Sequence, residues 1–93
     1  MNLEVMTRDR VVFSGEVDAV ILPALEGEMG VLPGHADFIV MLGKGSVKAT
    51  GPSLARSIPV SGGFAEISHD RVVVLPDRIE ASPTADLGSS LST

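Results

Sequence analysis

Three ionisable side chains lie close together between residues 26 and 36. Glu26 and Glu28 are separated by one glycine, and His35 follows in the same segment, which reads EGEMGVLPGHA. Paired carboxylates can perform acid–base chemistry on glycosides, and a histidine beside a carboxylate can act as a general base. Carboxylates also pair strongly with partly desolvated arginine. The segment therefore leaves two classes of function open, a small hydrolase and a binding module.

The rest of the chain gives little support to catalysis. The other histidine, His69, lies in a predicted turn, and no pair of ligands has the spacing of a metal site. No serine or cysteine nucleophile motif is present, and a sheet protein of 93 residues offers little concave surface for a substrate. We expect no catalytic residue, no metal and no cofactor, and we expect His35 to make a structural or interfacial hydrogen bond.

Glycine and proline shape the segment that carries these side chains. Its glycines permit backbone angles that other residues avoid. Pro33 fixes its own φ and favours an extended conformation at Leu32. We predict a rigid loop that presents Glu26, Glu28 and His35 at defined places. Two interpretations stay open for its apolar residues, which could close the end of the fold or form the centre of a contact: Met29, Val31 and Leu32.

The composition excludes several classes of partner. A chain of 93 residues, 44% of them hydrophobic, has room for one domain with a modest core. Aromatic residues make up 3% and the formal net charge is −5, so neither base stacking nor phosphate binding is favoured. A basic protein surface suits the chain better. The longest apolar run, residues 38–42, is far shorter than the ~20 residues of a membrane-spanning helix, so we expect no direct membrane insertion.

Short β-strands are the elements that must position the three side chains. Alternation of β-branched and polar residues predicts strands over residues 3–6, 11–13, 16–21, 38–42, 46–50, 55–60, 63–68 and 71–75. Turn residues separate them at 14–15, 43–45, 51–53, 61–63 and 69–70. The turn at 43–45 is predicted as a hairpin, and the one at 61–63 as a tight turn or bulge within a strand pair. The pattern predicts an all-β fold, an antiparallel sandwich or barrel.

Four motifs follow one another along the chain. They are FSGEV at residues 13–17, EGEMGVLPGHA at 26–36, SGGFAE at 61–66 and VVVL at 72–75, with Asp77 after them. Together they resemble the N-terminal domain of the epsilon subunit of F-type ATP synthases. An EGE-x-G-x-x-PGHA segment followed by SGG-x-x-E is far more specific than either half alone.

The resemblance implies a flattened antiparallel sandwich of about ten short strands over residues 1–80. The small polar residues 81–93 are predicted to form a flexible tail. The implied function is that of a central-stalk rotor subunit in a proton- or sodium-driven F-type ATP synthase. Such a subunit links the gamma subunit to the membrane rotor ring and couples ion flow to ATP synthesis without contributing catalytic residues. The implied location is peripheral, at the cytoplasmic face of a bacterial inner membrane or the equivalent organellar side.

The resemblance also implies two sets of contact residues. Those that face the rotor ring are Glu26, Glu28 and Met29. Those that face the gamma subunit are Thr7, His35, Val40, Ser61 and Glu66.

The chain departs from the family pattern in two places. Asp37 stands where a proline usually follows His-Ala, so we expect a less rigid approach to the next strand. Most members continue into a helical hairpin that restrains ATP hydrolysis and in some binds ATP, whereas no helical segment precedes Thr93. We therefore expect no nucleotide, and we favour a naturally short subunit over a shortened piece. The alternatives are an epsilon-like subunit of another rotary ATPase and the small carboxylate- or histidine-dependent hydrolase.

Overall fold

The computed structural model describes residues 1–80, which form ten β-strands in two five-stranded sheets. The strands are β1 (Asn2–Met6), β2 (Val11–Glu16), β3 (Ala19–Ala24), β4 (Gly27–Val31), β5 (Phe38–Met41), β6 (Lys44–Gly51), β7 (Leu54–Ser61), β8 (Phe64–Ser68), β9 (Arg71–Leu75) and β10 (Arg78–Ile79). Sheet A has the order β2-β1-β9-β8-β5, and sheet B has the order β10-β7-β6-β3-β4. The predicted all-β sandwich is confirmed, and the predicted tail at 81–93 lies outside the described residues.

Nearly all neighbouring strands in the described residues run antiparallel. The exception is the pair β1–β9, which is parallel and joins the first and last parts of sheet A. No helix within residues 1–80 is long and apolar enough to cross a membrane.

The core lies between the sheets and consists of aliphatic side chains. Because side chains alternate between the two faces of a strand, every second residue of β1 and β8 is buried, as are Val47 and Ala49 of β6. Each fully buried aliphatic side chain contributes roughly 1.5–3 kcal/mol relative to exposure. The largest of them are Leu3, Leu22, Val5, Val20, Val31, Val47, Val60, Val72 and Val74.

The first passage between the sheets corrects two sequence predictions. The predicted turn at 14–15 lies inside β2, and the predicted strand at 16–21 is interrupted after Glu16. There the chain leaves sheet A: the Val17 N–H donates to the Met1 carbonyl at 2.8 Å, and the Asp18 N–H donates to the Thr50 carbonyl of sheet B at 2.7 Å. Buried Val17 thus belongs to a crossing between sheets, although its alternating neighbours resemble one continuous strand.

The predicted hairpin at residues 43–45 is wrong for a related reason. Strand β5 lies in sheet A and β6 in sheet B, so the chain crosses between the sheets at Leu42 and Gly43. Residues 61–63 form a second crossing beside it, and the Gly62 N–H donates to the Gly43 carbonyl at 3.1 Å. The prediction of a tight turn or bulge within a strand pair at residues 61–63 is therefore wrong, because β7 and β8 lie in different sheets. The turns at 52–53 and 69–70 do connect paired strands.

Candidate functional site

Residues 27–31 of the segment at 26–36 form a strand, where the sequence predicted a loop. Strand β4 pairs with β3 in antiparallel register, from Val20–Val31 to Ala24–Gly27. Leu25 and Glu26 form the two-residue turn of this hairpin, and β4 is the edge strand of sheet B. Glu26 therefore lies at the hairpin tip, and Glu28 lies on a paired strand with a fixed orientation.

The structure places the acids and the histidine at opposite ends of the sandwich. At the hairpin tip, the Leu25 N–H donates to the Met41 carbonyl at 3.1 Å. At the other end, the Gly34 N–H donates to the His69 carbonyl at 3.2 Å, next to His35. The intervening strand is five residues long, which corresponds to roughly 16 Å. Glu26 and His35 are thus too far apart to act as an acid–base pair.

Adjacent residues of β4 point to opposite faces of sheet B. Glu28 lies on the outer face, where its Oε2 is 3.3 Å from the Nζ of Lys48. Lys48 belongs to β6, so the two side chains meet across the intervening strand β3. Met29 points inward and packs half-buried against the core. The three residues of the predicted ring-facing set therefore do not share one face.

A recess lies beside the hairpin tip and brings Glu26 and Met29 together. It has a volume of about 340 Å³, and we call it the hairpin recess; its lining residues are Ala24, Leu25, Glu26, Met29, Val40 and Met41. Glu26 supplies the single charged side chain of this lining.

The predicted gamma-facing residues are spread over several parts of the fold. Thr7 and Ser61 lie at the same end of the sandwich. Thr7 lines a groove together with Asp77. The Asp77 N–H donates to the carbonyl of Gly62, which follows Ser61, at 3.3 Å. Glu66 is exposed in the middle of the outer face of sheet A. Val40 is 9% exposed and faces the core.

His35 lies apart from the other members of the predicted set. Its ring is half-buried against Phe38, with 5.0 Å between the ring centroids. Its Nδ1 is 3.4 Å from the carbonyl oxygen of Ala36. These local contacts hold the ring at the end of the sandwich opposite Ser61.

Sequence reasoning did not locate an apolar strip that lies on the outer face of sheet A. Met41 pairs with Phe64, and Phe64 pairs with Leu75. On the other half of the sheet, Met6 pairs with Val11, and the parallel register of β1 and β9 places Leu75 beside Met6. Met41 and Val11, at the two edges, are 57% and 58% exposed. The apolar strip consists of Met41, Phe64, Leu75, Met6 and Val11. No sequence pattern joins five residues from five strands, so only the register reveals it.

A shallow cavity of about 630 Å³ adjoins the strip on the same face. Its lining includes Ile39 and Glu66, which pair across β5 and β8. Glu66 thus borders an apolar surface.

Comparison with known proteins agrees with this architecture. The family described as the ATP synthase delta/epsilon chain, beta-sandwich domain, matches residues 1–82. An ATP synthase epsilon chain from Dehalococcoides mccartyi is 43% identical over 91 residues, which cover 98% of this chain and 65% of the relative. An ATP synthase epsilon chain from Granulibacter bethesdensis is 40% identical over 90 residues, covering 96% of this chain and 65% of the relative. The chain thus spans slightly less than two thirds of the length of these curated relatives.

Solved structures show the same fold. A chain of the Euglena gracilis mitochondrial ATP synthase, in a structure of OSCP, F1 and c-ring, has a TM-score of 0.74 and 28% identity, covering 82% of this chain and 49% of that chain. A chain from the central stalk and c-ring of the Tetrahymena thermophila enzyme has a TM-score of 0.67 at 10% identity, covering 83% of this chain and 63% of that chain. Together with the family match over residues 1–82, these relatives confirm the resemblance. The chain belongs to the family of the ATP synthase delta/epsilon chain β-sandwich domain.

Proposed function

We propose that this domain acts as a central-stalk rotor subunit of a proton- or sodium-driven F-type ATP synthase. In this role it links the gamma subunit to the membrane rotor ring and couples ion flow to ATP synthesis, without catalysing a reaction itself. The family match and the relatives named ATP synthase epsilon chain support the proposal. Its location would be peripheral, at the cytoplasmic face of the membrane or the equivalent organellar side.

The apolar strip is the observation that carries the proposal. A contiguous row of apolar side chains across a whole sheet is typical of a surface that a partner covers. Met41 and Val11 leave more than half of their surface in water, at 57% and 58% exposure, although the same sheet buries Val5 and Val74 on its inner face. We therefore assign the outer face of sheet A to the gamma subunit.

This assignment revises the expected gamma-facing set. Glu66 borders the strip and fits the rim of the contact, where polar residues surround an apolar centre. Thr7 and Ser61 lie at the end of the sandwich where the strip is found, so they fit the same contact. Val40 reaches only the hairpin recess, and His35 lies at the opposite end. For these two positions a gamma contact would require a partner that extends beyond the strip.

The acidic hairpin tip is assigned to the rotor ring. Glu26 and Glu28 are both exposed at one edge of sheet B, and a basic partner surface would complement them. An apolar surface and an acidic one, which meet at Met41, suit a subunit that joins two partners.

Replacement of a strip residue tests the gamma contact. We expect Met41→Ser to weaken binding of the 93-residue chain to its cognate gamma subunit about tenfold, because it removes exposed apolar area from the contact. Leu32→Ser is the matched control, since Leu32 is similarly exposed at 61% but lies in the connection after β4. Titration by biolayer interferometry at moderate salt gives both affinities. Equal losses in the two variants, or no binding by the parent chain, would contradict the assignment.

The alternatives make different predictions for the same material. If the chain is an epsilon-like subunit of another rotary ATPase, a pull-down from solubilised membranes with the tagged chain would recover the subunits of that complex. A hydrolase using Glu26, Glu28 or His35 would show turnover on a panel of glycosides and esters. The distance between Glu26 and His35 leaves this second alternative without a carboxylate–histidine pair, and Glu28 is already paired with Lys48.

A further inference from the structure

Strand β7 has an edge that β10 covers only in part. β7 runs from Leu54 to Ser61 and pairs with β6 along this whole length. On its other side, β10 pairs only with Ser61 and Val60. Within the described residues, no strand pairs with the rest of this edge. An open strand edge presents unpaired backbone groups that can bind another extended segment.

The last described residue already continues along this edge. The Glu80 N–H donates to the Pro59 carbonyl at 2.9 Å, one step beyond the pair of Ile79 and Val60. In an antiparallel ladder, backbone groups of residues two positions apart point to the same side of the strand. Ser57, two residues before Pro59, therefore directs its N–H and its carbonyl to the open edge.

The sequence after β10 has the period of a half-buried strand. Residues 79–87 read IEASPTADL, in which apolar and polar side chains alternate at every position. Ile79 packs partly buried against the core, so an extended chain would direct the other odd-numbered side chains to the same inner face. The odd-numbered residues are Ala81, Pro83, Ala85 and Leu87, and the even-numbered ones are Glu80, Ser82, Thr84 and Asp86. The apolar set would face the sandwich and the polar set the solvent.

Pro83 fits this register, although proline interrupts most strand pairs. Continued from the pair of Ile79 and Val60, the register places Pro83 opposite Arg56. The backbone groups of Arg56 point to β6, because they alternate with those of Ser57. Residue 83 would therefore have its N–H side toward solvent, where a proline removes no hydrogen bond. A proline there also protects the new outer edge from further pairing.

Two larger side chains already close the gap between the sheets beside this edge. The Cζ of Arg56 lies 5.2 Å from the centroid of the Phe13 ring, and both residues are half-buried. Phe13 belongs to β2, an edge strand of sheet A. A strand added beside this pair needs little inward bulk, and the small side chains of Ala81 and Ala85 meet that need.

We propose that residues 81–85 extend β10 along β7 and cover the rest of its edge. Ser82 exchanges backbone hydrogen bonds with Ser57, and Thr84 does so with Ala55. The chain itself thus occupies a surface to which a second copy or another protein could add a strand. The sequence-based expectation of a flexible tail is revised for residues 81–85. The inference does not depend on the proposed function, because no partner subunit takes part in it.

Two neighbouring proline variants test the register. Ser82→Pro removes an N–H that faces β7, whereas Ala81→Pro removes one that faces solvent and is the matched control. We expect the Ser57 amide of the 93-residue chain to exchange with solvent about tenfold more slowly than in an unstructured peptide. Ser82→Pro should remove most of this protection, and Ala81→Pro should change the rate less than about threefold. NMR measures the rates, and the amide of Val74, in the central strand β9, reports that the fold is intact.

Three results of the exchange experiment would overturn the proposal. One is an unprotected amide at both Ser57 and Ala55 in the parent chain. Another is an equal loss of protection in the two proline variants. The third is protection that rises with protein concentration, which would assign the edge to a second copy instead.

A nuclear Overhauser measurement identifies the occupant of the edge directly. In antiparallel pairs that are not hydrogen-bonded, the Cα atoms lie roughly 4.5 Å apart, which brings the two Hα atoms into contact. Ile79 and Val60 form such a pair and serve as the internal standard. We expect a comparable Hα contact between Ala81 and Ile58 in the parent chain and its loss in Ser82→Pro. If the parent chain lacks this contact although the edge amides are protected, another segment occupies the edge and the proposal fails.

Discussion

The segments at residues 26–36 and 61–63 are both rich in glycine, but they differ in how closely other parts of the chain approach those glycines. A Cβ built on Gly63 would overlap the Leu75 carbonyl oxygen and lie 2.6 Å from the Cα of Pro76. A Cβ built on Gly27 or Gly30 would meet no described atom within 4 Å beyond its own residue and its chain neighbours. Glycine at the crossing thus permits two parts of the backbone to pack together, whereas glycine in the hairpin leaves the surface open.

This difference separates a structural element from a docking element. The crossing at 61–63 holds sheet A to sheet B, because the Leu42 N–H donates to the Gly63 carbonyl at 2.9 Å and the Asp77 N–H donates to the Gly62 carbonyl at 3.3 Å. The hairpin tip instead presents Glu26 and the recess to solvent. Glycine substitutions should therefore destabilise the fold more in the first segment than in the second.

The largest expected effect is that of Gly63→Ala. Gly63 has a φ of 91°, and its Cβ would collide with backbone atoms that cannot move independently. We expect a loss of about 3 kcal/mol or more in the free energy of unfolding, from backbone strain and overpacking together. Urea denaturation followed by circular dichroism measures it. A change below about 0.5 kcal/mol, the usual range for surface substitutions, would show that close packing at Gly63 does not distinguish this segment from the hairpin.

A smaller effect is expected within the hairpin. Gly27 has a φ of 131° in open space, so Gly27→Ala should cost about 1–2 kcal/mol from backbone strain alone. Gly30→Ala is the matched control, because its Cβ also meets open space and its φ is not positive. For that variant we expect a change within about 1 kcal/mol of zero, from the smaller entropy of the unfolded chain. Urea denaturation of both variants under the same conditions measures the two changes. Indistinguishable midpoints would contradict the role of the positive φ at Gly27.

The sequence predicted the elements of the sandwich better than their connections. Alternation in β6, where buried Val47 lies between outward Ser46 and Lys48, identifies a strand locally. A glycine turn, however, indicates that the chain bends and not which strand it pairs with next, so residues 43–45 were predicted as a hairpin. Strand β4 was missed because Gly-Glu-Met-Gly has low β propensity, and pairing with β3 determines its conformation.

The candidate site shows the same limit. The acids and their hairpin could be located from sequence, since the motif is contiguous. The Lys48 partner of Glu28 lies twenty positions away in the chain, and the hairpin recess joins β5 to the β3–β4 hairpin. Such contacts depend on register between distant strands, which no local pattern encodes.

The smallest expected effect concerns the ion pair of Glu28 and Lys48. Their side chains are 63% and 48% exposed, so solvent screens the attraction. A double-mutant cycle with Glu28→Gln and Lys48→Gln should give a coupling free energy of about 0.2–1 kcal/mol that falls at high salt. Lys44→Gln replaces Lys48→Gln in the control cycle, because Lys44 lies on the same strand and forms no ion pair within residues 1–80.

The control cycle should show no coupling between Lys44 and Glu28 beyond experimental error. A coupling above about 2 kcal/mol for Lys48 and Glu28 would exceed what exposed pairs provide. It would mean that the hairpin depends on this pair as the crossing depends on Gly63. In that case the acidic edge of sheet B would be a structural element, and its residues would be less available to a partner than the open surroundings of Gly27 and Gly30 indicate.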